Sequence, residues 1–177
     1  SAQVMLPARI DAIKLPGSDE QALNAYVQRY VDFFGMGSLS DMRVVLYEHS
    51  SVARDVLRQL LILLGVEVIS VGRVDSFVPI DTEAVRDEDI AQAKAWSKQY
   101  EFDAILSTDG DADRPLISDE NGQWFRGDAV GLLCADFLNA DSVVTPISSN
   151  SAVESCLKFK KVIRTRIGSP YVIAAMD

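Results

Sequence analysis

The order of apolar and amphipathic segments is the feature that most limits the fold of this 177-residue chain. Short apolar runs that fit buried strands alternate with longer stretches whose apolar residues recur at helical spacing. Up to residue 107 the pattern predicts a helix ending at 35, a strand at 43–47, a helix at 52–64, a strand at 66–71, a helix at 81–100 and a strand at 102–107. Such alternation is typical of the α/β class, in which helices flank a mostly parallel sheet on both faces (αβα).

Local end signals support the predicted helices. Ser18 and Gln21 fit a capping box at the start of the first helix, and Gly35 and Gly37 predict its end. Asp81 is a suitable N-cap for the third helix. Apolar residues of the first helix recur on one face: Leu23, Tyr26, Val27, Tyr30, Val31 and Phe34.

After residue 107 a hairpin interrupts the alternation. A short strand at 115–118, an Asn-Gly turn at 119–122 and a return strand at 123–125 predict it. The chain then resumes with a helix at 127–137, a strand at 142–145, a short helix introduced by a capping box of Ser151 and Glu154, a strand at 161–165 and a helix from Ser169. We therefore predict a lead-in at 1–20, an αβα domain at 21–126 and a second, incomplete αβα copy at 127–177.

Charge and apolar content exclude several classes of protein. The chain has 17 basic and 26 acidic residues, a net charge of −9, which disfavours binding to nucleic acids or anionic membranes. No stretch approaches the ~20 apolar residues of a membrane-spanning helix. The N-terminal residues lack the basic start and apolar core of a signal peptide. Cys134 and Cys156 have apolar neighbours and are predicted to be buried, reduced thiols of a cytoplasmic protein.

Residues 109–114, Asp-Gly-Asp-Ala-Asp-Arg, directly follow the third predicted strand. Carboxylates held this close repel one another unless a cation lies between them, and carboxylate oxygens are preferred ligands of Mg²⁺. Asp109, Asp111 and Asp113 are therefore candidate magnesium ligands. Arg114 adds a planar guanidinium that suits phosphate oxygens beside the ion. The loop lies where open α/β sheets place their ligands, at the carboxyl end of a strand.

Two other interpretations of this loop are possible from the sequence. One is an acidic surface turn without an ion. The other is an EF-hand, because Asp109, Asp111, Asp113 and Glu120 match its first, third, fifth and twelfth positions. An EF-hand needs glycine at position six, where this chain has Arg114, and it needs flanking helices rather than strands. The EF-hand is therefore disfavoured.

The segment Thr-Asp-Gly-Asp-Ala-Asp-Arg at 108–114, with Asp-Glu-Asn-Gly at 119–122 and Arg-Gly-Asp at 126–128, resembles the metal loop of the alpha-D-phosphohexomutases. These are the phosphomannomutases and phosphoglucomutases. The resemblance runs from about Gln21 to the chain end and implies the second domain and the start of the third domain of a four-domain isomerase. It implies interconversion of hexose 1-phosphate and hexose 6-phosphate, of mannose or glucose, through an enzyme phosphoserine and a bisphosphate intermediate.

The resemblance also implies roles for individual residues. Asp109, Asp111 and Asp113 correspond to Mg²⁺ ligands, and Arg114 to a catalytic, substrate-contacting residue. Ser169 follows a segment, 165–168, that resembles a substrate loop of the third domain, so it is either a phosphate ligand at a helix N-terminus or a helix cap.

Two motifs of that family are not in the chain. The phosphoserine motif Ser-His-Asn-Pro is absent, and so is the sugar-binding motif Gly-Glu-Met-Ser-Gly. The implied partners are thus a hexose phosphate and the remaining domains of the same enzyme, and the isolated chain is predicted to be inactive. His49, the single histidine, is predicted to be a loop residue without a role.

Two further functions are alternatives to a phosphohexomutase. A stand-alone Mg²⁺-dependent phosphatase or phosphotransferase would use a loop aspartate as its nucleophile. Such enzymes usually carry the nucleophile after their first strand, where this chain has Glu48 and His49. A non-catalytic domain with a structural ion is the other alternative. The sequence leaves the choice between mannose and glucose open.

Overall fold

A computed structural model of the chain describes residues 17 and 19–176. Within them, strands and helices alternate along most of the chain. The elements are α1 (Glu20–Phe34), β1 (Arg43–Tyr47), α2 (Arg54–Leu63), β2 (Glu67–Val71), α3 (Asp87–Gln99), β3 (Ala104–Thr108), β4 (Pro115–Ser118), α4 (Gly127–Phe137), β5 (Ser142–Pro146), α5 (Ala152–Ser155), β6 (Lys161–Thr165) and α6 (Ser169–Ala174).

The first four strands form one sheet in the order β2-β1-β3-β4. β1 lies in the middle and runs parallel to both neighbours, so that Val45 is opposite Ile69 on one side and Ile105 on the other. β4 is antiparallel to β3, with Thr108 opposite Pro115. β5 and β6 form a separate, parallel two-stranded sheet. The predicted α/β class with a mostly parallel sheet is confirmed.

Helices cover both faces of the larger sheet. Successive side chains of a strand point to opposite faces, so Val45 packs with Trp96 of α3 while Val44 and Leu46 pack with Leu61 of α2. α1 adds to the second layer through a cluster with α2, made of Val27, Val31, Leu60 and Leu64. The paired strands β1 and β3 therefore both lie in the core, under the helices.

α3 begins later than the sequence predicts. Asp81 was the expected N-cap, but the helix starts at Asp87. The Asp81 carboxylate instead accepts hydrogen bonds from the backbone N–H groups of Glu83 and Ala84, at 2.8 and 3.0 Å. An aspartate can close a local turn in the same way as it caps a helix, and here it does the former.

The predicted capping boxes have different outcomes. Ser18 lies outside the described residues, and α1 is capped by Asp19, whose side chain accepts from a backbone N–H of the first turn. The box at Ser151 is wrong, because the Ser151 side chain makes no cap hydrogen bond. Its expected partner, Glu154, forms a two-pronged ion pair with Arg164 of β6, with both N–O distances 2.7 Å.

The segment from α4 to α6 has little buried surface. Neither α4 nor α6 contains a buried residue, and large apolar side chains are exposed: Leu133, Phe137, Leu138, Ile147, Leu157, Ile167, Tyr171, Ile173 and Met176. The predicted limits 21–126 and 127–177 of the two αβα units stay a prediction. Both thiols are free, but Cys134 is exposed and Cys156 only half-buried, so the expected burial is wrong. Cys134 lies on α4, which buries no side chain.

Among residues 19–176, no helix is both long and apolar enough to cross a membrane.

Candidate metal centre

The acidic loop connects β3 to β4 and closes on itself. The Asp109 backbone N–H donates to the Arg114 carbonyl at 3.2 Å, and the Arg114 N–H donates to Asp109 Oδ1 at 3.3 Å. The flanking elements are strands, as predicted, which excludes the helix-loop-helix of an EF-hand. Because β3 lies beside β1, the loop borders the turn that follows β1.

The three aspartates of the loop converge. One carboxylate oxygen from each of Asp109, Asp111 and Asp113 lies within 4.8 Å of the other two. Asp109 is half-buried, and the other two are exposed. The structure thus brings together the three residues that the sequence analysis selected as ligands.

The electrostatics of this cluster favour a cation. A hydrogen bond with Asp109 raises the pKa of the Asp113 carboxyl above its ordinary range, and lost hydration and the negative charges of Asp111 and Asp109 add to the shift. The charged form of Asp113 is therefore disfavoured beside its neighbours unless a positive ion offsets their charge. Mg²⁺ prefers oxygen ligands at about 2.1 Å, so the all-carboxylate donor set of these residues fits that ion.

The tight turn of the loop is made at Ala112 and not at Gly110. The residue with a left-handed conformation is Ala112, at φ 64°. Gly110 has a different reason to lack a side chain, because a Cβ atom there would come 3.2 Å from the ring of Phe77. The loop after β2, which carries Phe77, therefore packs directly on the acidic loop.

Arg114 projects from the end of the loop. Its guanidinium lies 3.3 Å from Glu83 Oε1 and 3.6 Å from Asp113 Oδ1. The Arg114 side chain is 55% exposed, so it is open to a ligand that approaches from solvent. Its predicted catalytic role stays a prediction.

A set of buried polar groups, which the sequence did not indicate, supports the loop from behind. His49 and Ser51, in the turn after β1, are 0% and 3% exposed. His49 Nε2 lies 2.9 Å from the Thr108 carbonyl, and Ser51 Oγ lies 2.8 Å from Thr108 Oγ1. Burial lowers the pKa of His49. Strand order was the missing signal, because these residues become neighbours of the loop only when β1 and β3 pair.

Ser169 lies elsewhere. It is the first residue of α6, and the N-cap position is taken by Gly168. It follows β6 of the two-stranded sheet, whereas the aspartates follow β3 of the four-stranded sheet. The helix-cap interpretation of Ser169 is therefore wrong, and its substrate role stays a prediction.

Residues 24–122, more than half of the chain, match the family model described as phosphoglucomutase/phosphomannomutase, alpha/beta/alpha domain II. The chain belongs to the phosphoglucomutase/phosphomannomutase family. The matched segment includes the whole four-stranded sheet and the acidic loop. The family that the resemblance named is confirmed.

Curated relatives agree with this assignment. The chain is 54% identical over 154 residues to a phosphomannomutase of Salmonella muenchen, a match that covers 87% of this chain and 32% of the relative. It is 46% identical over 176 residues to a phosphomannomutase of Sinorhizobium fredii, covering 97% of this chain and 37% of the relative. The chain thus spans about a third of the length of these relatives.

A solved structure shares the fold. A phosphoglucomutase/phosphomannomutase family protein of Burkholderia thailandensis superposes with a TM-score of 0.74, over 88% of this chain and 35% of that protein. The sequence identity is 19%, so this likeness supports the fold alone.

Proposed function

We propose that this chain is the metal-binding portion of a phosphohexomutase that interconverts hexose 1-phosphate and hexose 6-phosphate through an enzyme phosphoserine and a bisphosphate intermediate. The observation that carries the proposal is the convergence of Asp109, Asp111 and Asp113 beside Arg114, in a chain of this family. The names of the two phosphomannomutase relatives support mannose phosphates as the first substrates to test.

The proposed site divides the chemistry among these residues. Asp109, Asp111 and Asp113 would hold Mg²⁺, which when bound neutralises negative charge on a phosphoryl group. The Arg114 guanidinium would donate to the phosphoryl oxygens and orient them. Its contact with Glu83 is between exposed groups, and such ion pairs are weak. Arg114 can therefore exchange Glu83 for a phosphate at little cost.

Other parts of the same enzyme would complete the site. The chain contains no Ser-His-Asn-Pro motif, so we expect the phosphoserine and the sugar-binding groups to come from further domains. Ser169 is a candidate phosphate contact within the third domain. On this proposal the isolated chain has no turnover, and the enzyme is cytoplasmic and acts without nucleic acid or membrane.

Metal binding by the chain itself is the first test. Isothermal titration with Mg²⁺ is expected to give one site per chain that Asp111→Ala weakens sharply. Asp41→Ala is the matched control, because Asp41 is an exposed aspartate just before β1, at the end of the parallel strands opposite the acidic loop. Equal weakening by both variants, or no binding by the wild type, would count against the proposed site.

Turnover is the second test. The full-length enzyme is expected to convert mannose 1-phosphate and glucose 1-phosphate, with mannose preferred, and to lose activity in Asp111→Ala. Turnover of either sugar phosphate by residues 1–177 alone would refute the proposal that this chain is only part of the site. Release of phosphate from an aryl phosphate by the chain, abolished by Asp109→Asn, would favour a phosphatase instead.

A further inference from the structure

Two buried polar residues lie beside the acidic loop without being candidate ligands. His49 is fully buried and has a φ of 25°, a left-handed conformation that is uncommon for residues other than glycine. Ser51 is 3% exposed. Strained backbone and buried polar side chains persist only where their surroundings hold them firmly.

His49 and Val52, three residues later in the same turn, donate to two carbonyl groups at the base of the acidic loop. A carbonyl oxygen only accepts hydrogen bonds, so the 2.9 Å contact requires that His49 Nε2 carries a proton and donates to Thr108 O. Within the described residues, Nδ1 of His49 is buried without a partner, so Nε2 is the polar anchor of the ring. The Val52 N–H donates to Gly110 O at 3.1 Å.

Ser51 reaches the carbonyl between those two through a directional chain of hydrogen bonds. The Thr108 hydroxyl donates its proton to Asp109 O at 2.7 Å. Because the Thr108 proton is used in that bond, Ser51 must be the donor in the 2.8 Å hydrogen bond between the two hydroxyls. The Ser51 oxygen in turn accepts from the Ala53 N–H at 3.1 Å. The turn at 49–52 therefore fixes three consecutive carbonyls, those of residues 108, 109 and 110.

The turn is itself anchored on its other side. The His49 carbonyl accepts from Arg54 at 3.0 Å and from the Val74 N–H at 3.2 Å. Ser50 Oγ accepts from the Val78 N–H at 2.8 Å. The turn thus links the loop after β2 to the loop after β3, and it cannot shift without breaking contacts on both sides.

We propose that His49 and Ser51 are positioning residues that hold the acidic loop in its metal-binding conformation. The inference rests on the proposed metal site. Three carboxylates repel one another, so a loop without external anchors would spread them in the absence of an ion. Hydrogen bonds from 49–52 to the loop backbone oppose this spreading, and partners that orient metal ligands in this way raise metal affinity.

The test measures Mg²⁺ affinity by titration calorimetry at 15 °C, together with the thermal midpoint in EDTA, on residues 1–177. His49→Leu, which removes the donor, is expected to weaken Mg²⁺ binding about tenfold. His49→Gln, whose side-chain amide can donate to the Thr108 carbonyl, is expected to bind nearly as well as the wild type. Lower midpoints with unchanged Mg²⁺ affinity would assign His49 a structural role and overturn the inference.

Two neighbouring serines give a matched pair should His49→Leu fail to fold. Ser51→Ala removes the hydroxyl that contacts Thr108 at the base of the acidic loop. Ser50→Ala removes one of the three contacts on the far side of the turn and leaves every hydrogen bond to the acidic loop in place. Weaker Mg²⁺ binding in Ser51→Ala alone supports the inference. Equal affinities in both variants overturn it. A wild-type chain that binds no Mg²⁺ would instead refute the proposed function, and the inference with it.

Discussion

Gly122 lies directly against the backbone of α3 at Ala93. A Cβ atom at Gly122 would come within 2.5 Å of the Ala93 carbonyl oxygen, and the residue has a φ of 71°. Gly122→Ala would add both a steric clash and an unfavourable left-handed conformation. We expect it to lower the free energy of unfolding by about 2 kcal/mol or more, measured by urea denaturation at 25 °C.

Gly127→Ala is the control for that substitution. Gly127 is the first residue of α4, and a Cβ atom there would meet nothing within 4 Å. Alanine has the higher helix propensity, so the expected change in the free energy of unfolding lies between zero and a gain of about 1 kcal/mol. A similar loss in both variants would show that the contact between Gly122 and α3 is not the cause.

Asp119 is expected to make stability depend on pH. Its carboxylate accepts from the backbone N–H groups of Gln123 and Asn121, at 2.7 and 3.0 Å. These bonds, that of Gln123 first, lower the pKa of Asp119 in the folded chain. A lowered folded-state pKa contributes stability above the ordinary aspartate value of about 3.9, and this stability is lost as pH falls through the lowered value.

Asp119→Asn isolates that contribution. We expect the wild type to exceed the variant by about 0.5–1 kcal/mol at pH 7, because charged acceptors bond more strongly than neutral ones and partial exposure weakens the effect. The difference should shrink as pH falls below the ordinary aspartate value of about 3.9, and urea denaturation over that pH range measures it. A difference that stays constant across that window would rule out ionisation of Asp119 as its source.

The core of the larger sheet depends on Ile105 of β3, which is fully buried and packs in one cluster with Val45 of β1 and Trp96 of α3. Ile105→Ala would leave a cavity and is expected to lower the free energy of unfolding by about 2–5 kcal/mol. Ile167 is 66% exposed, so Ile167→Ala should change the free energy of unfolding by less than about 0.5 kcal/mol. Chemical denaturation of the two variants compares a core and a surface isoleucine directly, and equal losses would contradict the layer assignment.

Local sequence determines much of this fold. The limits of β1, β4, α4 and β6 agree with the sequence prediction, because apolar periodicity and turn residues act within a few positions. The capping-box prediction at Ser151 failed because it depended on a choice between competing partners. Glu154 could cap its own helix or pair with Arg164 of β6, and the ion pair prevails.

The candidate site likewise has a part that local sequence predicts and a part that depends on contacts between distant residues. Asp109, Asp111 and Asp113 lie within one loop, so their convergence could be predicted from spacing alone. His49 contacts Thr108, which is 59 positions away. That contact requires knowledge that β1 lies beside β3, and alternation of strands and helices does not specify strand order.

The cluster of Asp109, Asp111 and Asp113 is expected to affect stability differently with and without a bound ion. The raised pKa of Asp113 means that its charged form is disfavoured in the folded chain, so at neutral pH the cluster lowers stability until a cation binds. Asp111→Asn removes one of the repelling charges. In EDTA we therefore expect its thermal midpoint to be slightly higher than that of the wild type.

Adding Mg²⁺ should reverse that order. A ligand that binds only the folded state stabilises it by about 2.7 kcal/mol at a concentration of 100 times Kd, and the wild type retains all three ligands whereas Asp111→Asn does not. The two midpoints are thus expected to cross as Mg²⁺ increases. Asp41→Asn, which removes a charge just before β1 at the opposite end of the strands, should follow the wild type throughout. Parallel curves for wild type and Asp111→Asn would mean that the three carboxylates do not bind the ion together, and a lower midpoint for Asp111→Asn in EDTA would mean that hydrogen bonds outweigh repulsion in the loop.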